Sequence, residues 1–75
     1  MNSYQIVLAS ITDVKNFVNI VNKYNCDVDL TSGRYVVDAK SIMGIFSLDL
    51  SKPIKMDVQN GDGAAMIAEL APYIK

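Results

Sequence analysis

The chain reads as an α+β open-faced sandwich: a four-stranded, mainly antiparallel sheet with helices on one face, in the order βαββαβα. Three observations predict this. Val14, Phe17, Val18 and Val21 recur at i, i+3, i+4 and i+7, the spacing of one buried helical stripe. Cys26, Val28 and Leu30 alternate with polar residues, as do Ile54, Met56 and Val58, which is the period of a half-buried strand. Ser32-Gly33 separates two strand-like runs and reads as a hairpin turn. Periodicity alone also accommodates a ferredoxin-like arrangement, which shares the first six elements.

The elements follow in order. Tyr4 to Leu8 is a short apolar run with Ile and Val, a first strand. Ser10-Ile-Thr-Asp13 has the form of a helix capping box with Asp in place of Glu, and predicts a helix from Ile11 to Tyr24. Lys15, Asn16, Asn19, Asn22 and Lys23 make its wet side, and Asn25, tolerant of a left-handed backbone, is the expected terminator. Cys26 opens the second strand as a core thiol, and Arg34 to Asp38 forms the hairpin partner around Tyr35-Val36-Val37. Ser41 opens a short helix to about Leu48, with Ile45, Leu48 and Leu50 facing inward, and Lys52-Pro53 stops it. The strand through Ile54, Met56 and Val58 runs to Gln59; Asn60-Gly61-Asp62-Gly63 then makes a turn into a last helix, Gly63 to Ala71. Ala64, Ile67, Ala68 and Ala71 form that helix's expected inner stripe; Pro72 ends or kinks it and leaves Tyr73-Ile74-Lys75 to pack or fray.

Composition narrows the chemistry. Seventy-five residues make one domain, 1–75, with a small core. Seven basic and eight acidic residues leave a net charge of −1 with no basic stripe, which argues against nucleic acid. No apolar run approaches the roughly 18 residues of a membrane span, and MNSYQIVLAS lacks the pattern of a signal peptide. One cysteine and no histidine exclude the usual zinc sites and any Ser-His or Cys-His nucleophile pair. The single glycine-dense stretch lacks the glycine-lysine ending of a phosphate loop. The expectation is a cytoplasmic protein that is not an enzyme, needs no cofactor or metal and does not insert into membranes.

One segment carries more apolar residues than a short helix can hide. "DAKSIMGIFSLDL", residues 38–50, holds Ile42, Met43, Ile45, Phe46, Leu48 and Leu50. "KSIMGIFSL", Lys40 to Leu48, closely resembles the segment around the regulatory serine of HPr, the phosphocarrier of the bacterial sugar phosphotransferase system, in its low-GC Gram-positive form. "KYNCDVDLTSGRYVVDAKS" extends the resemblance without a gap, so that it covers Lys23 to Pro53 well. It is looser from Tyr4 to Asn22, and looser again after Asn60, where the last helix looks truncated. The fold it implies is the HPr-like βαββαβα sandwich, in agreement with the element order.

The resemblance also implies roles. HPr proteins carry a histidine at the start of the first helix, followed closely by arginine and proline; the imidazole takes phosphate from enzyme I and passes it to sugar-specific components. Counting back from Lys23 puts Ser10 at the histidine position, Thr12 at that of the arginine and Asp13 at that of the proline. No catalytic residue is therefore expected: Ser10 reads as a helix cap, and Asp13 suits the helix dipole but discourages a bound phosphate. Ser41 matches the serine phosphorylated by the HPr kinase, where a phosphate would meet a helix N-terminus beside Lys40; it also reads as a plain cap. Ile42, Met43 and Phe46 match the docking patch for partner proteins, with Gly44 letting a partner approach. Some family members lack the histidine and keep the regulatory serine, and this chain resembles those. The expected function is a docking or regulatory module without phosphohistidine transfer, switched through Ser41, its partners a phosphotransferase-system enzyme, the HPr kinase or a regulator. The alternatives are a residual carrier role or a structural remnant bound to an unrelated partner.

Overall fold

The computed structural model describes residues 2–60 and 63–75, with the backbone alone for Asn2. The expected turn at Gly61-Asp62 lies outside the described residues. The elements are β1 (Asn2–Ile6), α1 (Ile11–Asn22), β2 (Asp27–Ser32), β3 (Tyr35–Asp38), α2 (Ile42–Phe46), β4 (Ile54–Asn60) and α3 (Ala64–Leu70), closed by a 3-10 turn at Ala71–Tyr73. All the strand pairs are antiparallel, in the order β1-β4-β2-β3. The open-faced α+β sandwich is thus the fold. Helix-facing residues of adjacent strands align in rows: Tyr4, Met56, Leu30 and Val37 make one, and Val58 with Val28 another.

The core follows the stripes. Val14, Phe17, Val18 and Val21 of α1 are buried against Val28, Leu30, Ile54, Met56 and Val58 of the sheet. Phe17 is fully enclosed and meets the Tyr73 ring edge-on, with centroids 6.3 Å apart. Burial of such a side chain contributes about 2–3 kcal/mol. Ile45 and Leu48 seal the sandwich from α2 and the turn behind it.

Several element boundaries differ from expectation, each for a physical reason. β1 is Asn2–Ile6 rather than Tyr4–Leu8, because its partner begins at Ile54 after Pro53 and the ladder stops at Ile6↔Ile54. Leu8 stays buried without belonging to the strand. α1 ends at Asn22, and Asn25 is not left-handed: no non-glycine residue described has positive φ. The N–H groups of Lys23 and Tyr24 instead turn back to the carbonyls of Ile20 and Val21, tightening the last turn. The hairpin loop is Gly33-Arg34, closed by Ser32↔Tyr35, with Gly33 at φ 60° where the first loop residue must be left-handed. α2 stops at Phe46, well before Lys52-Pro53, because Ser47 caps it: its hydroxyl donates to the Gly44 carbonyl at 2.6 Å.

The last helix is phased differently from the expected stripe. Met66 and Leu70 are buried, Ile67 is half-buried, and Ala64, Ala68 and Ala71 are exposed. Methionine and leucine bring more apolar area to the sheet than alanines do, so the helix rotates to bury them. Pro72 sits in the first residues of the 3-10 turn, where its missing N–H costs nothing, and the tail packs. Ile74 bridges Ile6, Val7 donates to the Tyr73 carbonyl and Lys75 to that of Gln5, both at 2.8 Å.

Candidate functional site

Both serines singled out in the sequence cap helices. Ser10 has extended backbone (φ −148°, ψ 166°), and its Oγ accepts the N–H of Asp13 at 3.1 Å. The Asp13 carboxylate reaches back to the N–H of Ala9, also at 3.1 Å. This is the reciprocal logic of a capping box, shifted one residue outward. Thr12 is exposed in the first turn and does not supply the cap. The α1 N-terminus therefore presents one hydroxyl already committed to a backbone N–H and one carboxylate.

Ser41 repeats the pattern on α2. Its Oγ accepts the N–H of Gly44 at 3.1 Å, and its own N–H donates to the Asp38 carbonyl at 2.9 Å. Its side chain is exposed. Lys40 does not reach toward it: the ammonium donates to the Tyr24 carbonyl at 3.0 Å, satisfying the chain leaving α1. Asp38 holds the Lys40 N–H at 2.8 Å, so an acid rather than a cation anchors the backbone entering α2.

The apolar residues of α2 divide by position. Met43 is 78% exposed and Phe46 41%, while Ile42 is half-buried against the core rather than fully at the surface. Gly44 is not an opening for a partner. A Cβ there would meet Ser41 Oγ and Val37 Cβ, each at 3.1 Å, so its smallness lets α2 sit on β3. Ile11, 64% exposed, was not anticipated as a surface element. The signal was its place: it directly follows the cap and stands off the Val14–Val21 stripe. A groove of about 370 Å³ runs between the two helix ends, lined by Leu8, Ser10, Ile11, Phe46 and Leu50. It brings Ser10 and Phe46 to one surface.

Two clusters of shifted titration lie elsewhere. Glu69 is held below the usual carboxylate range by hydrogen bonds from Lys23 and Tyr24, which tie α3 to the end of α1. The same contact raises the Tyr24 phenol. Asp49 is lowered by the hydroxyl and N–H of Ser51. Among the described residues no three His, Cys, Asp or Glu side chains gather as a metal site, and no helix is long and apolar enough to cross a membrane.

Comparison with known proteins places this geometry. Residues 13–75 match the family described as the PTS HPr component phosphorylation site; the match begins just after Ser10 and Thr12. The fold is similar to HPr-C-His from Thermoanaerobacter tengcongensis, with TM-score 0.81 and 25% identity over 96% of this chain and 89% of that one. It is similar to the phosphocarrier protein HPr of Bacillus anthracis, with TM-score 0.75 and 26% identity over 99% and 94% of the two chains. Crh of Bacillus subtilis, described as a catabolite repression protein with a swapped dimer, gives TM-score 0.70 and 28% identity over 91% and 80%. No curated protein sequence matches the chain significantly. With an HPr-type sheet and a family match across most of its length, the chain belongs to the PTS HPr family.

Proposed function

We propose that this chain is an HPr-family docking and regulatory protein of the cytoplasm that does not carry phosphohistidine. One observation supports this above others: the sequence contains no histidine. The family's relay runs through an imidazole whose phosphorus–nitrogen bond transfers onward readily. Ser10, which the resemblance aligns with that histidine, offers a hydroxyl that already caps α1, and the sequence has no imidazole to activate it. A phosphate ester formed there would be stable and unsuited to transfer. The Asp13 charge at the same helix end opposes a bound phosphate.

What remains is surface. Met43 and Phe46, with Ile11 across the groove, form an apolar patch suited to a protein partner such as a phosphotransferase-system enzyme, the HPr kinase or a regulator. Ser41 precedes the patch with an exposed hydroxyl, so a phosphate of about −1.5 to −2 charge would change what docks beside it.

Two incubations test this reading. With enzyme I and phosphoenolpyruvate, no acid-labile phosphate is expected on the chain; its appearance would overturn the loss of carrier function. With HPr kinase and ATP, an acid-stable phosphate is expected, absent from Ser41→Ala. Failure of wild-type phosphorylation by an active kinase would remove the switch.

A further inference from the structure

We propose that the bare edge of β3 is a self-association site, where a second copy of this chain pairs antiparallel about a two-fold axis at Val36. The strand order leaves two edges, β1 and β3. The β1 edge is occupied by the tail, through the Ile6–Ile74 bridge and the bonds at Val7 and Lys75. β3 pairs only with β2 among the described residues. Ser32 and Tyr35 close a two-residue loop and so form a hydrogen-bonded pair, and the antiparallel alternation then aims the N–H and C=O of Val36 away from β2. Such groups are a template for another strand. Tyr35 and Val36 beside them are 70% and 63% exposed.

The edge is self-complementary in charge. Arg34 lies two residues before Val36 and Asp38 two after. Antiparallel pairing centred on Val36 brings each Arg34, in the loop that leads into β3, to the end of the ladder where Asp38 of the second copy lies. On the sheet face opposite the two Val36 side chains, Tyr35 meets Val37. An edge bearing one sign at both ends would repel its copy; this one attracts it.

A second observation points the same way. Register aligns Asp57, Asp29 and Asp38 in one row across the open sheet face, ending at the β3 edge. Like charges placed opposite each other destabilise a sheet. Asp57 receives the Ser3 hydroxyl and has Lys55 at 3.8 Å, and Asp29 receives the Gln59 amide. Asp38 has the Lys40 N–H and, among the described residues, no cation. In the paired sheet that row ends beside the loop residue Arg34 of the second copy. Arg34 itself makes no ion pair among the described residues.

The contact is short, well below the about 1,200–2,000 Å² of a stable complex, so the dimer belongs to the micromolar-to-millimolar range. Sedimentation equilibrium on the full chain over that range should show reversible dimers, with amide shifts on dilution confined to residues 34–38 and their strand neighbours. Arg34→Asp and Asp38→Arg each set like charges at both ends and should weaken self-association about tenfold. Mixing those two variants should recover a heterodimer, because each then meets its opposite. Val36→Lys should abolish pairing by bringing two ammonium groups to the axis. Thermal melts confirm folding; should Asp38→Arg unfold through loss of the Lys40 bond, Arg34→Asp and Val36→Lys, both at exposed positions, carry the test. A wild-type chain that stays monomeric at millimolar concentration overturns the proposal. So does a dimer, swapped or otherwise, whose constant neither of those variants moves.

Discussion

Met43→Ala and Phe46→Ala probe the docking surface, and their different exposure predicts different outcomes. Full burial of either side chain is worth about 1.5–3 kcal/mol. Met43 hides only a fifth of its surface within the fold, so truncation should cost about 0.5 kcal/mol of stability. The remainder, about 2 kcal/mol, is available to a partner and corresponds to about a 30-fold loss of affinity. Phe46 is already three-fifths buried, against the groove it shares with Leu8 and Leu50. Its truncation should cost about 1.5 kcal/mol of folding and only about fivefold in binding. Paired calorimetry reads both quantities: thermal unfolding of each variant, and titration against purified HPr kinase. The reasoning is refuted if Met43→Ala binds within twofold of wild type while unfolding far more readily. Met43 would then be core in the working protein, and the patch no interface.

Other perturbations follow from single contacts. Ser10→Ala should lower stability by about 1 kcal/mol, a shift of about 4–8 °C in Tm, whereas Thr12→Ala should change it by less than about 0.5 kcal/mol. Gly44→Ala should destabilise in urea titration: the gain in helix propensity, about 1 kcal/mol, is outweighed by the 3.1 Å contact with the rigid Val37 Cβ. Glu69 has a folded-state pKa depressed below its ordinary value of 4.5, so its contribution is present above that pH and lost as pH falls through the folded value. Glu69→Gln should flatten the acid limb of a stability-versus-pH curve. Tyr24 has the opposite sign: its contribution is present below pH 10.0 and lost as pH rises through its raised value, readable by ultraviolet titration. Asp29→Asn should stabilise by about 0.2–1 kcal/mol, since it breaks the row of aspartates while keeping an acceptor for Gln59.

Some of this architecture is legible from residue spacing and some is not. α1 could be phased without error because Lys15, Asn16, Asn19 and Asn22 mark its wet side against four large apolar residues. α3 could not, because alanines surround it and only Glu69 marks an outward direction; side-chain size, not spacing, decided in favour of Met66 and Leu70. Met43 and Phe46 stood out as surplus apolar residues in a helix too short to hide them. Ile11 repeats nothing, and its role appears only when packing brings Leu8–Ile11 against Phe46 and Leu50. Adjacency to Ser41 suggested a job for Lys40, but adjacency carries no direction, and the ammonium went to the carbonyl of Tyr24.

The tail laid along β1 has a consequence for synthesis. β1 is made before the segments that complete it: its ladder partner is β4 and its outer edge is covered by residues 73–75. At about 5–20 residues per second, a ribosome leaves that strand without either neighbour for several seconds. Throughout that interval Phe17 lacks the Tyr73 ring that will cover it. Of the strands described, β1 is thus translated before the others yet completed last, and until the tail arrives its edge is open to chaperones or to another unfinished copy.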